Sequence, residues 1–171
     1  MMEIKTERLY IRTIQADDWI DLKNIWNDFS KSEYAQYDVS HKKSDEQVKN
    51  QAIKFEQYGL YYIVFLGNEV IGYVDFHDTG KGYDMGYCFL SEYHGKGYAK
   101  ESCKALLEYH LGKGIQRFTA GTGLKNIPSV HLLQSLGFEQ IGIEKVSFYK
   151  DEQGKDIYFD GGIYELSFNH G

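Results

Sequence analysis

The chain has 171 residues, a length that suits one domain (1–171) with a core of its own. It carries 25 Asp and Glu against 19 Lys and Arg, a formal net charge of −6. That balance argues against a non-specific nucleic-acid binder, which needs excess Lys and Arg to displace counterions, and it serves solubility or a cationic substrate.

The alternation in ERLYIRTI puts Leu9 and Ile11 on one face and Arg8, Tyr10 and Arg12 on the other, which predicts a half-buried strand. In ADDWIDLKNIWNDF, Trp19, Leu22, Ile25 and Trp26 recur at helical spacing, with Asp17 or Asp18 placed to cap the start. SDEQVKNQAIKFEQYG opens on a capping-box pair, Ser44 with Gln47, carries Val48, Ala52 and Phe55 as a stripe, and stops at Gly59. LYYIVFL and EVIGYVDFH read as a hairpin turning at Gly67-Asn68, and DTGKGY leads into a third strand, YDMGYCFL. AKESCKALLEYHLGKG is the next helix, with Ala99, Ser102, Cys103, Leu106 and His110 on one face and Gly112 or Gly114 at its end. RFTAGTG is a short strand, and PSVHLLQSLG a short helix between Pro128 and Gly137. EQIGIEKVSFYK and IYFDGGIYELSF are two strands joined at DEQG. The order predicts an α/β fold in which one mixed sheet carries helices on both faces, with a right-handed parallel crossover from Tyr83 to Gly123.

Between the third strand and its helix lies YHGKGYAKES, residues 93–102. A helix N-terminus has unpartnered N–H groups and the positive end of the helix dipole, so a glycine turn there can cradle an anion. Gly95 and Gly97 would let phosphate oxygens approach, and Lys96 adds charge. The pattern is no Walker motif, since no Ser or Thr follows the GK, and no dinucleotide fingerprint, since Lys100 holds the third-glycine position. By itself it reads equally as a glycine turn capping a helix.

Cys88 and Cys103 are too far apart for a CxxC pair, and two cysteines make no disulfide framework, so reduced thiols are expected. MMEIKTERLY has no apolar signal core and no apolar run reaches membrane-spanning length, so a cytoplasmic protein without membrane contacts is expected. The six histidines form no zinc-binding spacing; His77 and His94 are read as non-ligands and no metal is expected.

GYCFLSEYHGKGYAKES followed by NIPSVHLLQSLGF resembles the GNAT superfamily of acyl-coenzyme A N-acyltransferases, over nearly the whole chain from ERLYIRTI to YELSF. Within it the chain is most similar to the group containing the ribosomal-protein N-terminal acetyltransferases, whose opening T-x-R-L-x-L-R strand appears here as TERLYIR. The resemblance implies a V-splayed mixed sheet, acetyl-coenzyme A as co-substrate, and an amine acceptor that is a protein N-terminus or a small molecule. A homodimer is compatible with it. It implies that His94, Gly95, Lys96, Gly97, Tyr98 and Ala99 form the pyrophosphate loop, with His94 departing from the usual Gln or Arg. Cys88, Phe89 and Leu90 fall where the family offers backbone to the pantetheine arm and acetyl carbonyl, with a backbone N–H near Leu90 for the oxyanion. The Cys88 thiol itself reads as a small buried residue rather than a nucleophile.

Asn126 and Ser129 match the N-x-x-S beside the pantetheine arm, and both also fit helix capping. Many relatives place a protonating tyrosine where this chain has Leu133, which leaves Ser129 as the matching acid. Asp84 holds the position of a family glutamate and is the candidate base, or an ordinary strand carboxylate. Neutralising a lysine-like amine at pH 7 costs about 4.6 kcal/mol and an α-amine about 1.4. A weak carboxylate base acting through water therefore suits an α-amine better. The implied mechanism is direct attack of the amine on the thioester, with no metal and no covalent intermediate. The alternative is a non-catalytic coenzyme A-binding module on the same fold, compatible with Leu133. QYDVSHKKSDEQ, between the first two helices, is expected to help form the acceptor site, with Asp38, Asp45 and Glu46 facing either a cation or solvent.

Overall fold

The computed structural model describes residues 2–168. Its strands are β1 (Glu3–Lys5), β2 (Tyr10–Thr13), β3 (Tyr61–Leu66), β4 (Glu69–Asp78), β5 (Tyr83–Phe89), β6 (Arg117–Gly123), β7 (Glu139–Lys150) and β8 (Asp156–Ser167). Its α-helices are α1 (Trp19–Ser30), α2 (Asp45–Tyr58), α3 (Tyr98–Gly112) and α4 (Ile127–Ser135). Short 3-10 turns at Ala16–Asp18, Glu33–Tyr37 and Ser91–Tyr93 link them. Every predicted strand and α-helix is present. β1 escaped the sequence reading because three mostly polar residues carry no period.

The strands form one sheet in the order β1-β2-β3-β4-β5-β6-β8-β7. All neighbours are antiparallel except β5 and β6, which are parallel across the expected α3 crossover. Side chains alternate between two cores. Tyr62, Val64, Val74, Phe76, Met85 and Phe89 face α3 and α4, against Cys103, Leu106 and Leu133. Tyr61, Ile63 and Tyr73 face α1 and α2, against Leu22, Ile25, Trp26, Val48, Ala52 and Phe55.

The capping box of α2 forms as expected: Ser44 Oγ accepts from Gln47 N–H, and Gln47 Oε1 accepts from Ser44 N–H at 2.8 Å. Asp18 does occupy the N-cap of α1, yet its carboxylate makes no capping bond to that helix. Arg12 takes it instead in a two-pronged pair at 2.7 and 2.8 Å, and Gln15 N–H donates to it as well. A guanidinium in the right plane outcompetes a single backbone amide for a carboxylate.

Candidate active site

The glycine loop leaves the end of β5 and becomes the first turn of α3. Gly97 is the N-cap at φ +81°, a left-handed conformation that L side chains rarely adopt, and it has no capping side chain. Only from Glu101 does the helix pair its own amides, Glu101 N–H donating to Gly97 O at 3.0 Å. The N–H groups of Tyr98, Ala99 and Lys100 therefore lack intrahelical partners, at the positive end of a 15-residue helix. A Cβ at Gly95 would meet nothing within 4 Å, so the approach is open. Lys96 and His94 are exposed. His94 Nε2 hydrogen-bonds the carbonyl of Phe89 at 2.8 Å and so ties the loop back to β5.

Arg8 is the loop's main support. Its Nη1 donates to Lys96 O at 2.9 Å, its Nε to Glu101 Oε1 at 2.7 Å, and its guanidinium stacks 4.5 Å from the Tyr98 ring centroid. A Cβ at Gly97 would stand 3.3 Å from Arg8 Nη2. The sequence placed Arg8 only on the outer face of its strand; its 93-residue separation from Glu101 hid the contact.

β5 and β6 pair only at Tyr83↔Phe118 and Asp84↔Thr119. Beyond that rung they diverge, while β5 stays paired with β4 through Phe89. This is the expected V. The ladder with β4 divides the three residues expected at its edge. Leu90 N–H donates to Ile71 O at 2.8 Å. By the alternation of an antiparallel ladder, Cys88 and Gly86 also turn their amides to β4, whereas Phe89 and Tyr87 turn theirs into the V. An oxyanion amide is expected near Leu90; the Leu90 amide itself is spent within the sheet, and the V-facing amides beside it are those of Tyr87 and Phe89. Burial pushes the Cys88 thiol well up, with Asp38, Asp28 and Asp75 adding to it, which fits a packed thiol and not a nucleophile.

α4 borders the V from the other side. Asn126 caps it, its Oδ1 accepting from Ser129 N–H at 3.3 Å. Capping uses the backbone of Ser129 and leaves its hydroxyl free, and that hydroxyl bonds the phenol of Tyr87. Burial raises the Tyr87 phenol above its usual value, so it stays protonated. Leu133 is fully buried in the core, one turn along the same helix. Sequence reasoning missed Tyr87, which arrives from β5.

Asp84 stands on the last paired rung, where its Oδ1 accepts from Thr119 Oγ1 at 2.7 Å. Burial raises its pKa against that hydrogen bond. A cleft of about 730 Å³ opens between residues 29–42 and the β7–β8 hairpin, lined among others by Phe29, Tyr37, His41, Tyr149, Phe159 and Asp160. Tyr37 closes over β6, where a Cβ on Gly123 would come within 3.0 Å of its ring. Half of the QYDVSHKKSDEQ segment lines this cleft, whereas Asp45 turns away to pair with Lys23 at 2.8 Å. A second cleft, of about 410 Å³, lies at the opposite end of the sheet, around Gly80–Tyr83 and Gly114–Arg117.

The family model "Acetyltransferase (GNAT) domain" matches residues 8–139. This chain belongs to the GNAT acetyltransferase family. As a GNAT protein it is a transferase, and its curated relatives agree. It is 28% identical over 165 residues to YnaD of Bacillus subtilis (strain 168), described as an uncharacterized N-acetyltransferase, covering 92% of this chain and 95% of that one. Among solved structures, a GNAT-family acetyltransferase from Bacillus anthracis superposes with a TM-score of 0.78 at 26% identity, over 97% of this chain and 98% of that chain. RimL, a ribosomal L7/L12 α-N-protein acetyltransferase in complex with coenzyme A, superposes with a TM-score of 0.80 at 21% identity, over 97% and 98%. At that identity the likeness is one of GNAT fold. Among the described residues, no helix is long and apolar enough to cross a membrane.

Proposed function

We propose that this GNAT protein transfers the acetyl group of acetyl-coenzyme A to a primary amine by direct attack. The observation that carries the reading is the pairing of β5 and β6, which stops after Asp84↔Thr119 while unpartnered amides gather at the end of β5. The loop from His94 to Ala99 fits a pyrophosphate: free N–H groups, open space at Gly95 and a nearby guanidinium. The V-facing backbone of Tyr87 and Phe89, with Asn126 and Ser129 opposite, holds the pantetheine arm. Acetyl-coenzyme A brings an activated acyl group; the chain supplies position and charge.

Phe89 N–H receives the developing oxyanion. Ser129, hydrogen-bonded by Tyr87, gives its proton to the leaving sulfur. Asp84 accepts the amine proton through water, its raised pKa bringing it closer to the working range of a base. The acceptor enters by the aromatic cleft beside residues 36–42. A protein α-amine is favoured over a lysine-like amine, because freeing it at pH 7 costs about 1.4 rather than 4.6 kcal/mol. That RimL acts on a ribosomal-protein α-amine is in keeping with this preference.

Thiol release from acetyl-coenzyme A, followed across a panel of peptides with free N-termini and of small amines, tests the reading. Amine-dependent release, fastest with α-amines, is expected. Tight coenzyme A binding with no amine-dependent release would instead establish a binding module.

A further inference from the structure

At the foot of the V, the face of the sheet toward α1 and α2 carries beside Asp84 two groups that the transfer chemistry above leaves unused, Asp75 and His77. Gly86 is the second residue of β5 past the last paired rung, and it has no side chain to cover that floor. Asp75, its partner on β4, covers it: a Cβ on Gly86 would lie 2.9 and 3.0 Å from the two Asp75 carboxylate oxygens. His77, two residues along β4, turns to the same face, with Nε2 3.3 Å from Asp75 Oδ1. It also stands directly across the ladder from Asp84. The imidazole therefore contacts the carboxylate over the V floor and sits across the ladder from the residue that carries the carboxylate at its apex. Asp75 is largely covered, with 13% of its side chain exposed, whereas His77 is half exposed at 50%. His77 is the member of the cluster that reaches solvent.

The groups facing His77 are few and defined. Tyr61 of β3 hydrogen-bonds Nε2 at 2.9 Å and sets its ring edge-on, and Tyr58 of α2 lies 5.5 Å away, ring to ring. Asp75 is on its own strand and Asp84 opposite on β5, with Thr119 of β6 bonded to Asp84. Among the described residues, the two carboxylates are the charges that act on His77, so the imidazole holds a proton more readily than a free histidine; the Asp75 contact is the chief cause and burial works against it.

Acetyl transfer to a protonated amine has a fixed balance. The N–C bond forms, the C–S bond breaks with its electron pair going to sulfur, and the ammonium loses two protons. One replaces the acyl group on sulfur and the other must leave the site. We propose that His77 is the outlet for this second proton: Asp84 and Asp75 collect it on the V floor, and the imidazole passes it to bulk solvent. His77 is then a proton-transfer and positioning residue of the transferase site, and the assignment rests on the transferase reading above.

His77→Gln and Asp75→Asn, each checked for a native circular dichroism spectrum and melting curve, test it with the best amine of the panel. For His77→Gln a fall in kcat of about tenfold is expected, less than the roughly 10²–10⁴-fold of a group that acts on the reacting atoms, because His77 works one step behind Asp84. KM for acetyl-coenzyme A stays unchanged, and added imidazole restores the rate, which no packing defect would allow. For Asp75→Asn the acidic limb of the kcat–pH profile moves to lower pH, because the imidazole loses the partner that holds its proton. An active wild type beside a His77→Gln variant that keeps full kcat, or whose loss imidazole does not repair, overturns this role alone. If His77→Gln does not fold, an unmoved acidic limb in Asp75→Asn overturns it. A wild type that binds coenzyme A and releases no thiol with any amine overturns the transferase reading and this role together.

Discussion

Arg8 Nε donates to Glu101 Oε1 at 2.7 Å, joining the bend between β1 and β2 to the first turn of α3. Arg8 N–H and Thr6 Oγ1 converge on the other oxygen of the same carboxylate. Burial alone would raise the Glu101 pKa, but these hydrogen bonds together hold it below its ordinary value. Thr6 and Arg8, between β1 and β2, thus tie up an acid that would otherwise repel a phosphate at the helix N-terminus. Arg8→Ala should weaken coenzyme A binding about tenfold, the scale of one charge-assisted hydrogen bond. Titration calorimetry with coenzyme A would measure it, and the melting temperature should move little, since Arg8 is exposed and Thr6 still bonds the Glu101 carboxylate.

Gly97→Asp is expected to be worse for binding than for folding. At φ +81° a non-glycine residue costs about 1–2 kcal/mol. The new carboxylate would stand at the helix N-terminus beside Arg8 and compete with a phosphate for that positive charge, and affinity for coenzyme A should fall by well over tenfold. Unchanged affinity in a folded variant would place the pyrophosphate elsewhere.

Ser129→Ala separates chemistry from capping. Asn126 caps the Ser129 backbone N–H, so α4 keeps its start. The Tyr87 phenol loses its partner, at about 1 kcal/mol. Loss of the proposed acid should lower kcat by about 10²-fold or more with little change in KM. Steady-state thiol release on the purified variant reads both constants.

His110 sets an acid limit to stability. It is buried on α3 among Phe76, Tyr83 and Tyr109, with Nε2 3.1 Å from the Tyr62 hydroxyl. Burial pushes its pKa down to about 4 from an ordinary 6.5. Between those values the unfolded chain binds the extra proton and the folded one does not, so stability falls as pH drops from about 6.5 to 4. The loss should be on the order of 2 kcal/mol. Urea melts across that window should show it in the wild type, and His110→Gln should flatten the slope.

The sequence by itself determined what depends on neighbours along the chain. The 3.6 and 2.0 periods, the Ser44–Gln47 box, the Gly67-Asn68 turn, and the glycines before α3 were legible because each is decided within a few residues. Motif order then sufficed to place the chain in its family. Tertiary structure alone decided what depends on sheet register and on contacts between distant segments. It set β8, not β7, beside β6. It divided Cys88, Phe89 and Leu90 into amides spent on β4 and amides turned to the V, and turned the Asp18 carboxylate from its helix to Arg12. Arg8 with Glu101, Tyr87 with Ser129, and Asp75 over Gly86 are pairings of the same kind. No local pattern encodes them, because the energy that holds each pair is a contact between segments that meet only after the sheet has formed.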